Sequence, residues 1–162
     1  MAKYTIEESN MVFIADTYDT YYIEQSPAYS GIGNRIKTVE FIRRKDNRLL
    51  FVEAKSTVAS PGSPESFQSQ ISDICDKFVH SLSLLSAIKI GAVSEILPLY
   101  LNYTGNVSLK FVLVIRNHEE KWCRPVKRAI EQTLPVHISK IWKPEVLVIN
   151  QKTAQKHNIV ES

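Results

Sequence analysis

Apolar residues along this chain fall into two rhythms, one helical and one extended. Phe67, Ile71, Ile74, Cys75, Phe78, Leu82 and Leu85 recur at three- and four-residue spacing, which is the buried stripe of an amphipathic helix. Ser63, Pro64 and Glu65 stand just ahead of it. They supply a capping hydroxyl, a proline suited to the first helical position and an acid near the positive end. The pattern predicts one long helix from about residue 63 to Ile90. Its polar positions Asp73, Lys77 and Ser81 read as a solvated face.

The extended segments are shorter. Met11–Asp16 (MVFIAD) and Thr20–Gln25 (TYYIEQ) are rich in β-branched and aromatic residues around Thr17-Tyr18-Asp19, so they read as a first hairpin. A helix through Ile14, Tyr18, Tyr21 and Gln25 is the weaker alternative. Ser26–Asn34, with Pro27, Gly31 and Gly33, reads as a loop or short turn. Ile36–Arg43 and Leu49–Ser56 form a second hairpin, turning at Lys45-Asp46-Asn47-Arg48, where Asp and Asn tolerate left-handed backbone. Leu49-Leu50-Phe51-Val52 is apolar on both faces, as in a strand covered by helices on both sides. Thr57–Ser66 (TVASPGSPES) is a linker. Leu109–Ile115 is a further buried strand, Pro125–Thr133 a helix starting nearer Glu119, Glu145–Asn150 a last strand, and Lys152–Asn158 a terminal helical turn. This order predicts an α/β (α+β) fold, a mixed central sheet with helices on its faces.

The chain has 162 residues, 44% of them hydrophobic and 23% charged, as in one ordinary globular domain over residues 1–162. No apolar run approaches the roughly 18 residues of a membrane span. Residues 1–10 carry acids and lack the apolar core of a secretory signal, so the expected compartment is the cytoplasm and no membrane partner is expected. Cys75 and Cys123 form no CxxC pair and read as small buried hydrophobes. His80, His118, His137 and His157 have no zinc-ligand spacing. No phosphate-binding glycine loop is present, and nothing positions a base for a serine or cysteine nucleophile. Trp122 and Trp142 read as core or interface aromatics.

Charge adds one local feature. The net charge is only +3, but Arg35, Lys37, Arg43, Arg44, Lys45, Arg48 and Lys55 crowd one stretch against Glu40, Asp46 and Glu53 alone. Such an excess suits a polyanion, with a solvated hairpin tip as the equal alternative.

A two-residue turn at Asp46-Asn47 sets the register of the second hairpin: Lys45 faces Arg48, Arg43 faces Leu50, Phe41 faces Val52, and Glu40 faces Glu53. Directly opposed side chains have Cβ atoms about 4.5–5.5 Å apart. Lys55 shares the face of Glu53. Two opposed carboxylates repel, so a proton, Lys55 or a divalent cation must neutralise them. A cation so held can polarise a phosphoryl oxygen and activate water.

Val39-Glu40-Phe41-Ile42, thirteen residues before Glu53-Ala54-Lys55, resembles the core of the PD-(D/E)XK, or restriction-endonuclease-like, nuclease superfamily, as a bacterial branch of it. There an acid on one strand precedes acid-x-lysine on the next, and a helix follows. The resemblance spans about residues 35–90. It implies a restriction-endonuclease-like core and metal-dependent cleavage of phosphodiester bonds. It implies catalytic roles for Glu40, Glu53, Lys55 and, early in the helix, Gln70. It also implies that Glu24, Glu40 and Glu53 bind Mg2+ (or Mn2+). The first acid is Glu where the family has Asp, no proline precedes it, and Ile74 stands where some branches carry tyrosine. The expected function is nuclease-like hydrolysis of nucleic acid. A non-catalytic nucleic-acid- or protein-binding module on the same fold is the alternative, and a homodimer is left open. A structural protein whose carboxylate pair is satisfied by Lys55 and arginines is a third reading.

Overall fold

The computed structural model describes residues 2–33, 35–102 and 105–162. Its centre is a five-stranded mixed sheet of order β3-β4-β5-β6-β7, beside a two-stranded sheet β1-β2. The strands are β1 Lys3–Glu8, β2 Met11–Asp16, β3 Thr20–Tyr21, β4 Phe41–Lys45, β5 Arg48–Lys55, β6 Ser108–Ile115 and β7 Glu145–Asn150. The helices are α1 Pro27–Ser30, α2 Pro64–Lys89, α3 Glu120–Thr133 and α4 Gln151–Lys156. The α+β class with a mixed sheet agrees with the sequence pattern. No helix among the described residues is long and apolar enough to cross a membrane.

The β4–β5 hairpin has the expected register for Lys45 with Arg48, Arg43 with Leu50 and Phe41 with Val52. The ladder ends there: the expected Glu40–Glu53 pair does not form, and Glu40 N–H donates to Val52 O at 3.0 Å instead. Asp46 takes the left-handed backbone of the turn, at φ 54°. β5, β6 and β7 then run parallel, with α2 and α3 as the connecting helices. The α2/α3 face of the sheet buries Leu49, Phe51, Phe111 and Leu113 against Ile74, Phe78 and Val126. Phe78 stacks on Phe111 at 4.6 Å between ring centroids.

The other face differs from expectation. It buries Leu50, Val52, Val112 and Val114 under Ile6, Met11 and Phe13 of the β1–β2 hairpin and Ala154 of α4. One side is thus covered by helices, the other by a hairpin and one short helix. The first hairpin is also corrected. β2 pairs with β1, not with Thr20–Gln25. Ser9 and Asn10 turn between β1 and β2 with φ of 52° and 59°, as a two-residue turn matched to strand twist requires. Thr20 and Tyr21 pair with Arg43 and Ile42 of β4, and Ile23–Gln25 closes into a 3-10 turn.

Two further boundaries shift. The strand expected from Ile36 begins only at Phe41, because the preceding backbone is engaged by α2. Lys37 N–H donates to His80 Nδ1 at 3.1 Å and Val39 N–H to Ser81 Oγ at 2.9 Å. Ser63 occupies the position before α2, but its hydroxyl makes no capping bond. Asn34, the last residue of the expected Ser26–Asn34 loop, lies outside the described residues. Within that loop Ser26 Oγ caps α1 by accepting from Tyr29 N–H at 3.1 Å.

Candidate metal centre

Side chains on β5 alternate, so Phe51, Glu53 and Lys55 point toward α2. Glu53 is wholly buried. Its Oε2 lies 2.6 Å from Lys77 Nζ and 3.7 Å from Lys55 Nζ. On α2, Asp73, Lys77 and Ser81 stand four residues apart and form one stripe along the helix. They are not a solvated face. Asp73 pairs with Lys37, Lys77 with Glu53, and Ser81 holds Val39. Each grips the segment that leads into or forms the β4–β5 hairpin. Sequence reasoning missed Lys77, although its i+4 spacing beside the apolar stripe was the available signal.

Glu40 sits at the mouth of β4, 6% exposed. Its N–H donates to Val52 O at 3.0 Å, and its carbonyl accepts from Glu24 N–H at 3.5 Å. The first bond ties Glu40 to the strand that carries Glu53, and the second brings in Glu24. Glu8, at the end of β1, completes the group. One carboxylate oxygen from each of Glu8, Glu24 and Glu40 lies within 4.8 Å of the others. Glu8 escaped sequence reasoning, because within Lys3–Glu8 only Ile6 is buried and the segment shows no apolar rhythm. Tyr22 donates its hydroxyl to Glu8 Oε1 at 3.3 Å.

Four carboxylates therefore meet, opposed by two ammonium groups. Glu40 responds most: burial, the hydrogen bond its acid form gives Glu24, and the charges of Glu53, Glu24 and Glu8 push its pKa up to about 11. Burial also raises Glu53, against the pull of Lys77 and Lys55. Burial acts to lower Lys77, and Glu53, Glu40 and Asp73 together overcome it, so its pKa is raised. Burial, then Glu24, raises Glu8. At neutral pH the cluster thus holds a proton on Glu40. Among the described residues no donor reaches Glu40 Oε2 or Glu53 Oε1, both buried, although buried polar atoms are normally satisfied.

The donor set fits a hard divalent cation. Oxygen ligands at about 2.0–2.6 Å from an ion lie at most about 4–5 Å apart, which matches the spacing of Glu8, Glu24 and Glu40. The structure thus groups Glu24 and Glu40 as expected, adds Glu8, and gives one oxygen of Glu53 to Lys77. Gln70 stands apart. Its Oε1 accepts from Ala59 N–H at 2.6 Å, and it makes no hydrogen bond to the four carboxylates among the described residues. It lines a cavity of about 210 Å³ with Lys55 and Asp73.

Four of the seven basic residues of the run are engaged within the molecule, while Arg35, Lys45 and Arg48 are exposed. Arg43 pairs with Asp19, Lys37 with Asp73 and Lys55 with Glu53. The buried Arg44 lies 4.6 Å from the Tyr100 ring centroid. These side chains do not make a single basic surface. The two cysteines are buried, as expected, and burial raises both thiols.

No family model, no curated protein and no solved structure matches this chain.

Proposed function

We propose that this chain hydrolyses phosphodiester bonds of nucleic acid with Mg2+ or Mn2+ as cofactor. The observation that carries the reading is the convergence of three carboxylate oxygens within 4.8 Å on a hairpin that also carries Glu53-Ala54-Lys55. The buried Glu40 Oε2, without a hydrogen-bond partner among the described residues, leaves one oxygen of the cluster free for a ligand. The acid, acid-x-lysine and following helix resemble the PD-(D/E)XK superfamily, and both Lys55 of the strand and Lys77 of that helix reach Glu53.

Glu8, Glu24 and Glu40 would hold the cation, which supplies Lewis-acid charge for a phosphoryl oxygen. Glu53 anchors both ammonium groups. Lys77, the more enclosed, neutralises it; Lys55, with a side chain 32% exposed, faces an incoming phosphate and offsets charge that develops on it. Tyr22 orients Glu8. Glu40 must lose its proton before it can serve as a ligand.

A binding module on the same frame is the second reading. It is favoured by the complete burial of Glu53 and its direct pairing with Lys77, which neutralises one acid without a cation. Plasmid and single-stranded DNA incubated in Mg2+ or Mn2+ separate the two, beside Glu53→Ala, Lys55→Ala and an EDTA control. Cleavage by the parent protein alone supports the enzyme. Metal-independent retention of DNA with no cutting supports the module and rejects the enzyme.

A further inference from the structure

β5, β6 and β7 end in register, Lys55 beside Ile115 and Ile115 beside Asn150. The loops after β5 and β6 and the start of α3 therefore build one edge of the sheet, where open α/β sheets place their ligands. On that edge lies a cavity of about 310 Å³ walled by Val58, Ser60, Pro61, Asn117, His118 and Trp122, within the size range of small-ligand sites. It shares Val58 with the smaller cavity that holds Lys55, so the two adjoin.

We infer that the cavity beside Trp122 is a nucleobase subsite, which takes an unpaired base of the strand whose phosphate is bound at Lys55. The inference rests on the function proposed above and deepens it, by naming single-stranded nucleic acid as the substrate class.

Four observations carry it. Trp122 is 49% exposed although Cys123 and Val126 on the same helix are buried, so a large aromatic side chain is left in water at the rim of a concave site. Aromatic faces of this kind stack bases without regard to sequence. The walls are preformed: Arg116 N–H donates to Lys55 O at 2.9 Å, Asn117 N–H to Ser56 O at 3.0 Å, and Ser63 N–H to Ser60 O at 2.9 Å. Ser60, Asn117 and His118 offer hydrogen-bonding groups suited to base edges. Burial holds His118 below its ordinary pKa, so its ring is neutral at pH 7 and offers one donor and one acceptor. Finally, Arg124 and Lys127 continue the edge along α3 into a larger cavity of about 610 Å³, with positive charge placed for the backbone of the same strand. Lys121, on the wall of that larger cavity, pairs with Glu119 of the base cavity's wall at 3.2 Å and lies 5.4 Å from the Trp122 ring centroid. An apolar peptide side chain would use the tryptophan and leave the polar walls and the cations unmatched. A base inside a paired duplex cannot enter such a pocket without leaving its stack.

The test keeps binding apart from cleavage. In Trp142→Phe protein, Trp122 is the sole tryptophan. This protein is titrated in EDTA with a single-stranded 12-mer of deoxyadenosine, roughly the reach of such grooves, and with a blunt duplex. Saturable quenching by the single strand, at least about fivefold tighter than by duplex, is expected. Trp122→Ala weakens binding of a labelled single strand about tenfold and Trp122→Phe restores most of it, with circular dichroism unchanged. Equal quenching by duplex, or Trp122→Ala binding within about twofold of the parent, overturns the subsite. If the parent cuts in Mn2+ while Trp122→Ala keeps its single-strand affinity, the subsite alone fails. If nothing is cut but quenching and the Trp122 dependence persist, the hydrolytic reading alone fails.

Discussion

Lys77 Nζ on α2 lies 2.6 Å from Glu53 Oε2 on β5, and the Glu53 side chain is wholly buried. Removing one partner of a buried pair strands the other charge. Lys77→Met is expected to cost about 2–4 kcal/mol in urea unfolding, toward the low side of such losses because Lys55 remains within 3.7 Å of Glu53. The double variant Lys77→Met with Glu53→Leu should recover most of that loss, since a buried pair replaced by apolar groups is often neutral. A Lys77→Met protein as stable as the parent would show that the pair carries no weight.

Cation binding should be visible without any substrate. At a concentration one hundred times Kd, a bound ion adds about 2.7 kcal/mol, which is roughly 5–10 °C in Tm for a chain of this size. Differential scanning calorimetry with Mn2+ at pH 8 is expected to show that rise. Glu8→Gln or Glu24→Gln should weaken Mn2+ binding in calorimetric titration by at least about tenfold. A Glu8→Gln protein with unchanged affinity would remove Glu8 from the centre.

The pH dependence follows from Glu40, whose folded-state pKa is raised from the ordinary 4.5 to about 11. Its neutral form stabilises the fold fully below pH 4.5, and that contribution is lost as pH climbs toward 11. Glu53 and Glu8, both raised, act in the same direction. Each pH unit between the two values costs about 1.4 kcal/mol. Without metal, Tm should therefore fall by roughly 8–16 °C between pH 6 and pH 9, and Glu40→Gln, permanently neutral, should flatten the slope. Mn2+ affinity should run the opposite way and rise with pH, because binding expels the Glu40 proton. A Tm independent of pH across this range in the parent protein would contradict the raised Glu40.

Ser81 is wholly buried and its Oγ accepts from Val39 N–H at 2.9 Å. Ser81→Ala leaves that amide without a partner, at a cost of about 1–3 kcal/mol. Glu40 follows Val39, so Mn2+ affinity should fall in the same variant. Loss of stability with intact affinity would separate the anchor from the centre.

The pairing of β4 with β5 was legible because Asp46-Asn47 dictates a turn, and the turn fixes every pair up to Phe41 and Val52. Glu24 entered through resemblance alone, and the geometry groups it with Glu40. Other features were not legible, for physical reasons. Glu8 rides a strand whose alternation is mostly polar. Lys77 and Ser81 have the spacing of a wet helix face, and only the hairpin packed on them gives that face its partners. Residues 36–40 have the composition of a strand, but side chains of α2 take the backbone N–H groups of Lys37 and Val39. Arg43 and Arg44 look like surface charge until Asp19 and Tyr100, distant in sequence, reach them. Gln70 sits on the helix where resemblance places it, yet its amide oxygen fastens the linker at Ala59.

The β1–β2 hairpin is stitched to the far end of the chain. Ile14 N–H donates to Ile159 O at 3.0 Å, Glu161 N–H to Val12 O at 2.8 Å, and Phe13 bridges Val160. Glu8 stands at the tip of this hairpin, so its carboxylate is tethered by residues more than a hundred positions away. Residues 159–161 thus act as a latch on an acidic centre they never touch. Loosening them, by proline at Val160 for instance, would let the hairpin swing and take one carboxylate of the cluster with it, while the helices on the opposite face stay packed.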